Sequence, residues 1–181
     1  MLKLIYFIRE LVFRPKYPDG PGQWFNKRGE LQARGSYKGG KQDGPWEVYH
    51  DSGHLAFKGS YKNGERDGPW ELYYENGRRK IKGNSREGRP EGLFERYYEN
   101  GQLWERLTYK DGEPEGPFEK FYESGRLSTR GHYKDGKMDG FWEYYYENGK
   151  LKRRGRFKDR ERDGLWEYFD ENGRLKESRS F

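Results

Sequence analysis

The sequence repeats every 24 residues from Asp19 onward, and this period constrains the fold more than any other feature. An acidic residue followed by glycine opens every unit, at Asp19, Asp43, Asp67, Glu91, Glu115, Asp139 and Asp163. Six full units and a shorter seventh cover everything after residue 18 without an insertion: 19–42, 43–66, 67–90, 91–114, 115–138, 139–162 and 163–181. A fixed period of this length is typical of an array in which each unit is one supersecondary element stacked on its neighbours.

The contents of a single unit predict a β-hairpin. In 139–162 a strand-like run from Phe141 to Glu147 meets Asn148-Gly149, a strong signal for a two-residue turn because both residues tolerate positive φ. No run in the unit is long enough for a helix of ordinary length. A two-residue turn predicts these cross-strand pairs: Trp142–Gly155, Glu143–Arg154, Tyr144–Arg153, Tyr145–Lys152, Tyr146–Leu151 and Glu147–Lys150.

Alternation along the strands then predicts two different faces. The aromatic face of this unit is predicted to carry Trp142, Tyr144, Tyr146, Leu151, Gly155 and Phe157. The ladder face, with alternating charges, is predicted to carry Glu143, Tyr145, Glu147, Lys150, Lys152 and Arg154. A large ring opposite glycine recurs at Trp46–Gly59, Trp70–Gly83 and Phe118–Gly131. We expect each ring to cover the bare backbone of the glycine opposite it.

Composition limits how this chain builds a core. Only 30% of the residues are hydrophobic and 38% are charged, while aromatic residues alone supply 18%. The core must therefore be thin and largely aromatic. Cysteine is absent, which excludes disulfides and thiolate metal sites and fits a reducing compartment. The net charge of +6 is small beside a dense surface of mixed sign, so it permits anionic partners without requiring them.

Residues 1–18 precede the repeats and read as an amphipathic segment. At helical period one face gathers Leu4, Ile5, Ile8, Leu11 and Val12. The segment is too short to span a bilayer, which needs about 20 apolar residues, and it has no small-residue cleavage site. Three interpretations stay open: a cap on the first hairpin, a contact with a membrane surface, or a short strand. We expect a cytoplasmic protein, with peripheral membrane contact as the alternative.

The motifs "GPWELYYENG", "GLFERYYENG", "GFWEYYYENGKL" and "GSYKNG" resemble the MORN repeat in its bacterial variant form. The resemblance covers residues 19–181. It implies an all-β fold, an elongated single-layer antiparallel sheet of tandem hairpins, and a non-catalytic role. Members of the variant family are often described as antitoxins or immunity proteins that hold a protein toxin. MORN arrays elsewhere are linked to membrane attachment and to scaffolding.

The central repeats depart from this pattern, and they supply the candidate binding residues. Arg96 and Lys120 occupy the position that holds Val48 and Leu72 in earlier units. Trp104 is predicted to be the lone tryptophan of the ladder face, which makes it a candidate hot spot. The aromatic column can serve as the core of the sheet, and a part left exposed can contact a partner. The candidate partner-binding residues are Arg96, Tyr98, Trp104, Lys120, Tyr122, Trp142, Tyr144 and Tyr146.

The sequence offers no chemistry for an enzyme. His50, His54 and His132 are the only histidines, and phosphate-loop and nucleophile-elbow patterns are absent. We therefore predict no catalytic residue, cofactor or metal, and disfavour a small-molecule substrate. Nucleic acid is disfavoured because acidic residues recur in the same columns as basic ones. The predicted function is a non-enzymatic module that binds another protein, as an antitoxin or immunity protein does. The alternative is a peripheral scaffold that binds anionic lipid through the N-terminal segment and basic residues.

Overall fold

The chain folds into one antiparallel sheet of 17 strands in a computed structural model that describes residues 17–181. The expected all-β fold of tandem hairpins is confirmed, and no residue in this range is helical. Successive long strands pair antiparallel in the order of the sequence, so every unit lies beside the next one. The candidate membrane residues of the N-terminal segment (Leu4, Ile5, Ile8, Leu11 and Val12) lie outside the described residues.

Each of the first three units contains a hairpin of two long strands and a short strand that leads into the next unit. The first half of the sheet holds β1 (Gly20–Phe25), β2 (Leu31–Lys38), β3 (Lys41–Gln42), β4 (Gly44–Tyr49), β5 (Leu55–Lys62), β6 (Glu65–Arg66), β7 (Gly68–Tyr73), β8 (Arg79–Arg86) and β9 (Arg89–Pro90). The second half holds β10 (Gly92–Tyr97), β11 (Leu103–Lys110), β12 (Glu113–Phe121), β13 (Leu127–Lys134), β14 (Lys137–Tyr145), β15 (Leu151–Lys158), β16 (Glu161–Phe169) and β17 (Leu175–Ser180). From β12 onward the short strand is continuous with the long strand after it.

The hairpin turn differs from the predicted two-residue turn. The backbone N–H of Tyr146 donates to the carbonyl of Lys150 at 2.8 Å, and that of Gly149 donates to the carbonyl of Tyr146 at 2.9 Å. These bonds enclose a three-residue loop that ends on Gly149, whose φ is 87°. The Asn148 side chain accepts the N–H of Lys150 at 2.9 Å. Asparagine therefore acts here through its side chain, and glycine alone supplies the left-handed residue.

The longer turn adds a β-bulge next to it, which corrects the predicted register. Tyr144 pairs with Arg153, yet Tyr145 pairs with Leu151, so Lys152 is an extra residue. The predicted pairs Trp142–Gly155, Glu143–Arg154 and Tyr144–Arg153 are confirmed. The three pairs predicted nearest the turn (Tyr145–Lys152, Tyr146–Leu151 and Glu147–Lys150) are wrong. The other hairpins show the same shift at the equivalent position.

The bulge exchanges two residues between the faces, because it interrupts the alternation of side chains. Leu151 lies opposite Tyr145 on the ladder face, where the sequence placed it on the aromatic face. Lys152 moves to the aromatic face, and its Nζ lies 5.3 Å from the ring centroid of Tyr146. Every unit that carries the bulge therefore turns one additional side chain toward the aromatic face.

The rings pack on a different glycine from the one expected. The pairs Trp46–Gly59, Trp70–Gly83 and Phe118–Gly131 are confirmed in the register. The ring, however, leans back over the glycine of the preceding unit. A Cβ added to Gly131 would lie 2.6 Å from Cε3 of Trp142, which is closer than a Cβ can approach. The ring of Trp46 lies equally close to Gly35, and that of Trp166 to Gly155. These tryptophans are 2% exposed or less, although the structure is a single sheet.

The fourth unit replaces this glycine with Leu107, and the ring beside it is smaller. Leu107 pairs with Phe118, and both side chains are buried in one cluster with Trp142. A leucine side chain occupies the space that glycine leaves open elsewhere, so an indole could not lie flat there. The phenylalanine at this position compensates for the leucine.

We predict that Gly131→Ala destabilises the protein by about 3 kcal/mol, because the new methyl group would enter the space of the Trp142 ring. In a Trp142→Phe background the same alanine is expected to cost less than about 1 kcal/mol, since the pair then approaches the Leu107–Phe118 arrangement. Urea unfolding followed by circular dichroism measures both costs. An equal cost in the two backgrounds would show that the ring does not determine the need for glycine.

Candidate functional site

The ladder face carries ion pairs that connect one unit to the next. The sequence predicted pairs within a hairpin, and Glu143 does lie opposite Arg154. Its ion pair, however, is with Arg130 of the preceding unit. The equivalent pairs are Arg34–Glu47, Lys58–Glu71, Lys82–Glu95, Arg106–Glu119 and Arg154–Glu167. Each glutamate thus neutralises a cation from its neighbour, and the ladder holds units together.

Tyrosines beside the ladder share its glutamates. The hydroxyl of Tyr145 donates to Glu143 at 3.0 Å, and that of Tyr97 donates to Glu95 at 3.0 Å. Burial and the bond to the carboxylate raise the pKa of Tyr145. The Arg34 guanidinium and the Tyr49 hydroxyl, which both donate to Glu47, hold the pKa of that carboxyl below its usual range. These groups satisfy one another, so each ladder glutamate is balanced by its own partners.

A second set of tyrosines ties the turns of successive units together. Tyr122 donates its hydroxyl hydrogen bond to the carbonyl of Tyr145 at 2.6 Å, one unit further along the chain. Tyr74, Tyr98 and Tyr146 make the equivalent bond at 2.7 to 2.9 Å. In the second unit His50 takes this position, with Nε2 3.0 Å from the carbonyl of Tyr73. The hydroxyls of these candidate residues therefore serve the stack of repeats.

The structure places Trp104 on the aromatic face, so its predicted position on the ladder face is wrong. The cause is the bulge, because Trp104 is the extra residue between the pairs Arg96–Glu105 and Tyr97–Leu103. Its ring lies 5.4 Å from Nζ of Lys120 and 5.9 Å from the guanidinium carbon of Arg96. The ring of Tyr98 is 6.2 Å away. We call this group the central patch: Arg96, Tyr98, Trp104, Glu105, Lys120 and Tyr122.

The remaining candidate residues lie further along the aromatic face. Tyr144 is half-buried beneath Arg153, whose guanidinium carbon is 4.1 Å from the ring centroid. Burial raises the pKa of the Tyr144 hydroxyl, and the charge of Arg153 opposes this shift. Tyr146 lies under Lys152. Trp142 is 2% exposed and belongs to the interior of the stack, which leaves it little surface for a partner.

Sequence reasoning missed several cations of this face. Lys80 lies 5.0 Å from the ring centroid of Tyr74. In the sixth unit Lys152 lies over Tyr146, and Arg153 lies over Tyr144. Lys80 and Lys152 are the bulged residues of their hairpins. A three-residue loop read from the "YENG" pattern would have assigned both to the aromatic face.

The described part of the chain has no cluster of metal-ligating side chains. No group of three or more histidine, aspartate or glutamate residues in 17–181 could hold a metal ion. Two shallow depressions lie on the ladder face, and one of about 540 Å³ is lined by Leu93, Thr108, Pro117, His132 and Phe141 together with ladder residues. Residues 17–181 also contain no helix long and apolar enough to cross a membrane.

Comparison with known proteins agrees with the repeat pattern. The family model described as MORN repeat variant matches residues 42–63, 66–85, 90–111, 114–135, 138–159 and 162–181, well over half of the chain. The first unit, in which Gly22 stands at the tryptophan position, lies almost wholly outside the matched ranges. No curated protein matches the sequence. A solved structure of a protein with unknown function from Bacteroides fragilis NCTC 9343 is 10% identical, covering 90% of this chain and 93% of its own, with a TM-score of 0.15.

The ladder predicts a specific loss of stability in acid. Because the pKa of folded Glu47 is depressed, its ion pair stabilises the fold above the unfolded pKa of about 4.3 and is lost as the pH falls through the folded pKa. We expect Glu47→Gln to be about 1 kcal/mol less stable than the wild type near pH 7. This difference should shrink toward zero as the pH falls from 7 through the folded pKa of Glu47.

Urea titrations across this range, with Glu65→Gln as the control, measure the effect. Glu65 is an exposed glutamate that forms no ion pair within residues 17–181. A Glu47→Gln difference that is the same at both ends of the range would show that the carboxylate does not act through its charge.

Proposed function

The chain belongs to the MORN repeat variant family, and we propose that it is a non-enzymatic module that binds another protein through its aromatic face. A single-layer sheet presents two broad surfaces, and its buried rings lie between successive units, which suits binding along an extended partner. The ladder face uses its recurring glutamates in ion pairs between units. The aromatic face, by contrast, changes character in the middle of the array, and we place the contact there.

The observation that carries this proposal is the central patch. In the second unit the corresponding position holds Val48, which is 3% exposed and part of the core. In the fourth unit it holds Arg96, whose side chain is 37% exposed. Arg96 and Lys120 flank the half-buried ring of Trp104. Tryptophan, tyrosine and arginine are the residues most enriched at binding hot spots.

We further propose that the partner is a toxic protein that this module sequesters, as an antitoxin or immunity protein does. The proposal is supported by the variant form of the repeats and by the binding surface just described. Sequestration requires only a stable complex that covers the active surface of the toxin. It needs no catalytic group in the module, and it makes affinity and shape the properties that matter.

Affinity capture from the native cell with the full chain tests this function, with both the protein and the lipid of the bound fraction identified. We expect one stoichiometric protein whose expression alone arrests growth and whose co-expression with this chain restores it. Lipid without a dominant protein would contradict the proposal and support the membrane scaffold. A stoichiometric partner that is harmless when expressed alone would contradict the sequestration of a toxin.

Trp104→Ala is predicted to weaken the captured complex by about tenfold or more, because a hot-spot ring contributes about 2 kcal/mol. Its thermal unfolding midpoint should stay near that of the wild type, since Trp104 lies outside the buried clusters. Phe141→Ala is the matched control, because Phe141 is an aromatic residue of the ladder face that is 72% exposed. Equal losses of affinity in the two variants would exclude the central patch as the contact.

A further inference from the structure

The cations of the aromatic face identify the chemistry of the partner. Building on the proposed function, we infer that the partner docks through a carboxylate-rich protein segment that crosses the strands along these cations. The segment would lie over several units, with its acidic side chains directed at the cations and its apolar side chains on the rings between them.

The cations form a row because each lies over a ring of the aromatic face. Arg66 covers Trp70 at 4.8 Å, Lys80 covers Tyr74 at 5.0 Å, and Arg162 covers Trp166 at 4.8 Å. The members of this cation row are Arg66, Lys80, Arg96, Lys120, Lys152, Arg153 and Arg162. They come from five successive units, so the row crosses most of the sheet.

Almost all of this positive charge is left without a carboxylate. In residues 17–181 the ion pair Arg96–Glu105, at 2.9 Å, is the one that involves a member of the cation row. The ladder glutamates, such as Glu71, Glu119, Glu143 and Glu167, point to the other face, where each is paired with a cation of the preceding unit. The sequence suggested that acidic residues balance the basic ones in each column. The bulge separates them, because it moves Lys80 and Lys152 to the aromatic face alone.

The ladder face fits such a partner less well. It exposes apolar side chains, with Leu93 at 51%, Phe141 at 72% and Leu165 at 57%. Its recurring glutamates are paired with ladder cations, while Lys62, Lys110 and Lys134 are exposed there, away from the rings of the aromatic face. A second copy of this chain is also disfavoured on the aromatic face, because two cation rows brought together would repel each other. The combination of unpaired cations and rings therefore favours the aromatic face for an acidic segment that also carries apolar side chains.

The geometry favours protein carboxylates over nucleic acid. Bases bind by stacking on open ring faces, whereas Tyr144 and Trp104 are already covered by Arg153, Lys120 and Arg96. Successive units lie about 10 Å apart, at two strands each, so the row is sparse beside the charge density of DNA, about one charge per 1.7 Å. A carboxylate can reach a cation from outside while the ring stays beneath it, and it can form a charge-assisted hydrogen bond there.

The direct test uses the full chain and a fluorescent glutamate-rich peptide that also contains tyrosine and leucine, with anisotropy measured at low and at physiological salt. The double variant Lys120→Gln/Arg153→Gln removes two members of the cation row. The matched control Lys62→Gln/Lys134→Gln removes two exposed lysines from the ladder side of the sheet. A single-stranded oligothymidylate and phosphatidylserine vesicles serve as competing probes.

We expect the peptide to bind the wild type and the control equally, and the double variant to bind it about tenfold more weakly, because each exposed charge pair contributes up to about 1 kcal/mol. Equal binding by all three proteins, or no binding at low salt, would overturn the inference. Tighter binding of the oligonucleotide or of the vesicles than of the peptide would also overturn it.

The outcome separates this inference from the proposed function. A captured partner that the double variant holds as tightly as the wild type would contradict the acidic segment and leave the protein-binding function in place. A chain that binds the peptide as described but captures no protein would contradict the proposed function alone.

Discussion

The contact of an indole ring with the bare backbone of a glycine in the preceding unit is the interaction on which this sheet depends. A single layer has no opposing sheet or helix to bury its apolar side chains, so burial has to come from neighbouring units. Trp142 achieves this by lying over Gly131, and Trp166 by lying over Gly155. The same contact fixes the length of chain between each glycine and the next ring, because a residue added there would move the ring off its glycine. The ion pairs and tyrosine hydrogen bonds between units then have a fixed spacing on which to form.

The bulge that follows each hairpin turn gives the two faces different roles. The ladder face stabilises the stack of units, and the aromatic face presents the surface that we propose for binding. The ladder face pairs nearly every recurring glutamate with a cation of the unit before it, so its charges stabilise the stack. The bulge turns an additional side chain toward the aromatic face, and in the third, fourth and sixth units that side chain is Lys80, Trp104 or Lys152. The bulge thereby supplies part of the surface on which we place the partner. The central units add Arg96 and Lys120 at positions that are apolar in the second and third units.

The sequence predicts the period, the hairpins and the register away from the turn, because these follow from alternation and from glycine spacing. It predicts the turn less well, since an Asn-Gly pair suits a two-residue loop as well as a three-residue loop that ends on glycine. The two loops differ by one residue, and this difference is why the sequence predicted the wrong face for Trp104. The sequence pattern also does not show toward which glycine each ring leans, because Gly35 and Gly59 lie on opposite sides of Trp46. Only the packed structure shows that the indole leans toward Gly35. Part of the cation row stayed hidden for the same reason, as Lys80 and Lys152 reach the aromatic face through the bulge.

The most direct measurement of whether the aromatic face is the binding surface is lysine acetylation footprinting of the full chain, free and in complex with its captured partner. The chain carries its own reference, because Lys80, Lys120 and Lys152 lie over rings of the aromatic face while Lys62, Lys110 and Lys134 are exposed on the ladder side. The account predicts that the partner protects the first three lysines and leaves the second three as reactive as in the free chain. Protection of Lys62, Lys110 and Lys134 with the aromatic-face lysines still reactive would contradict it.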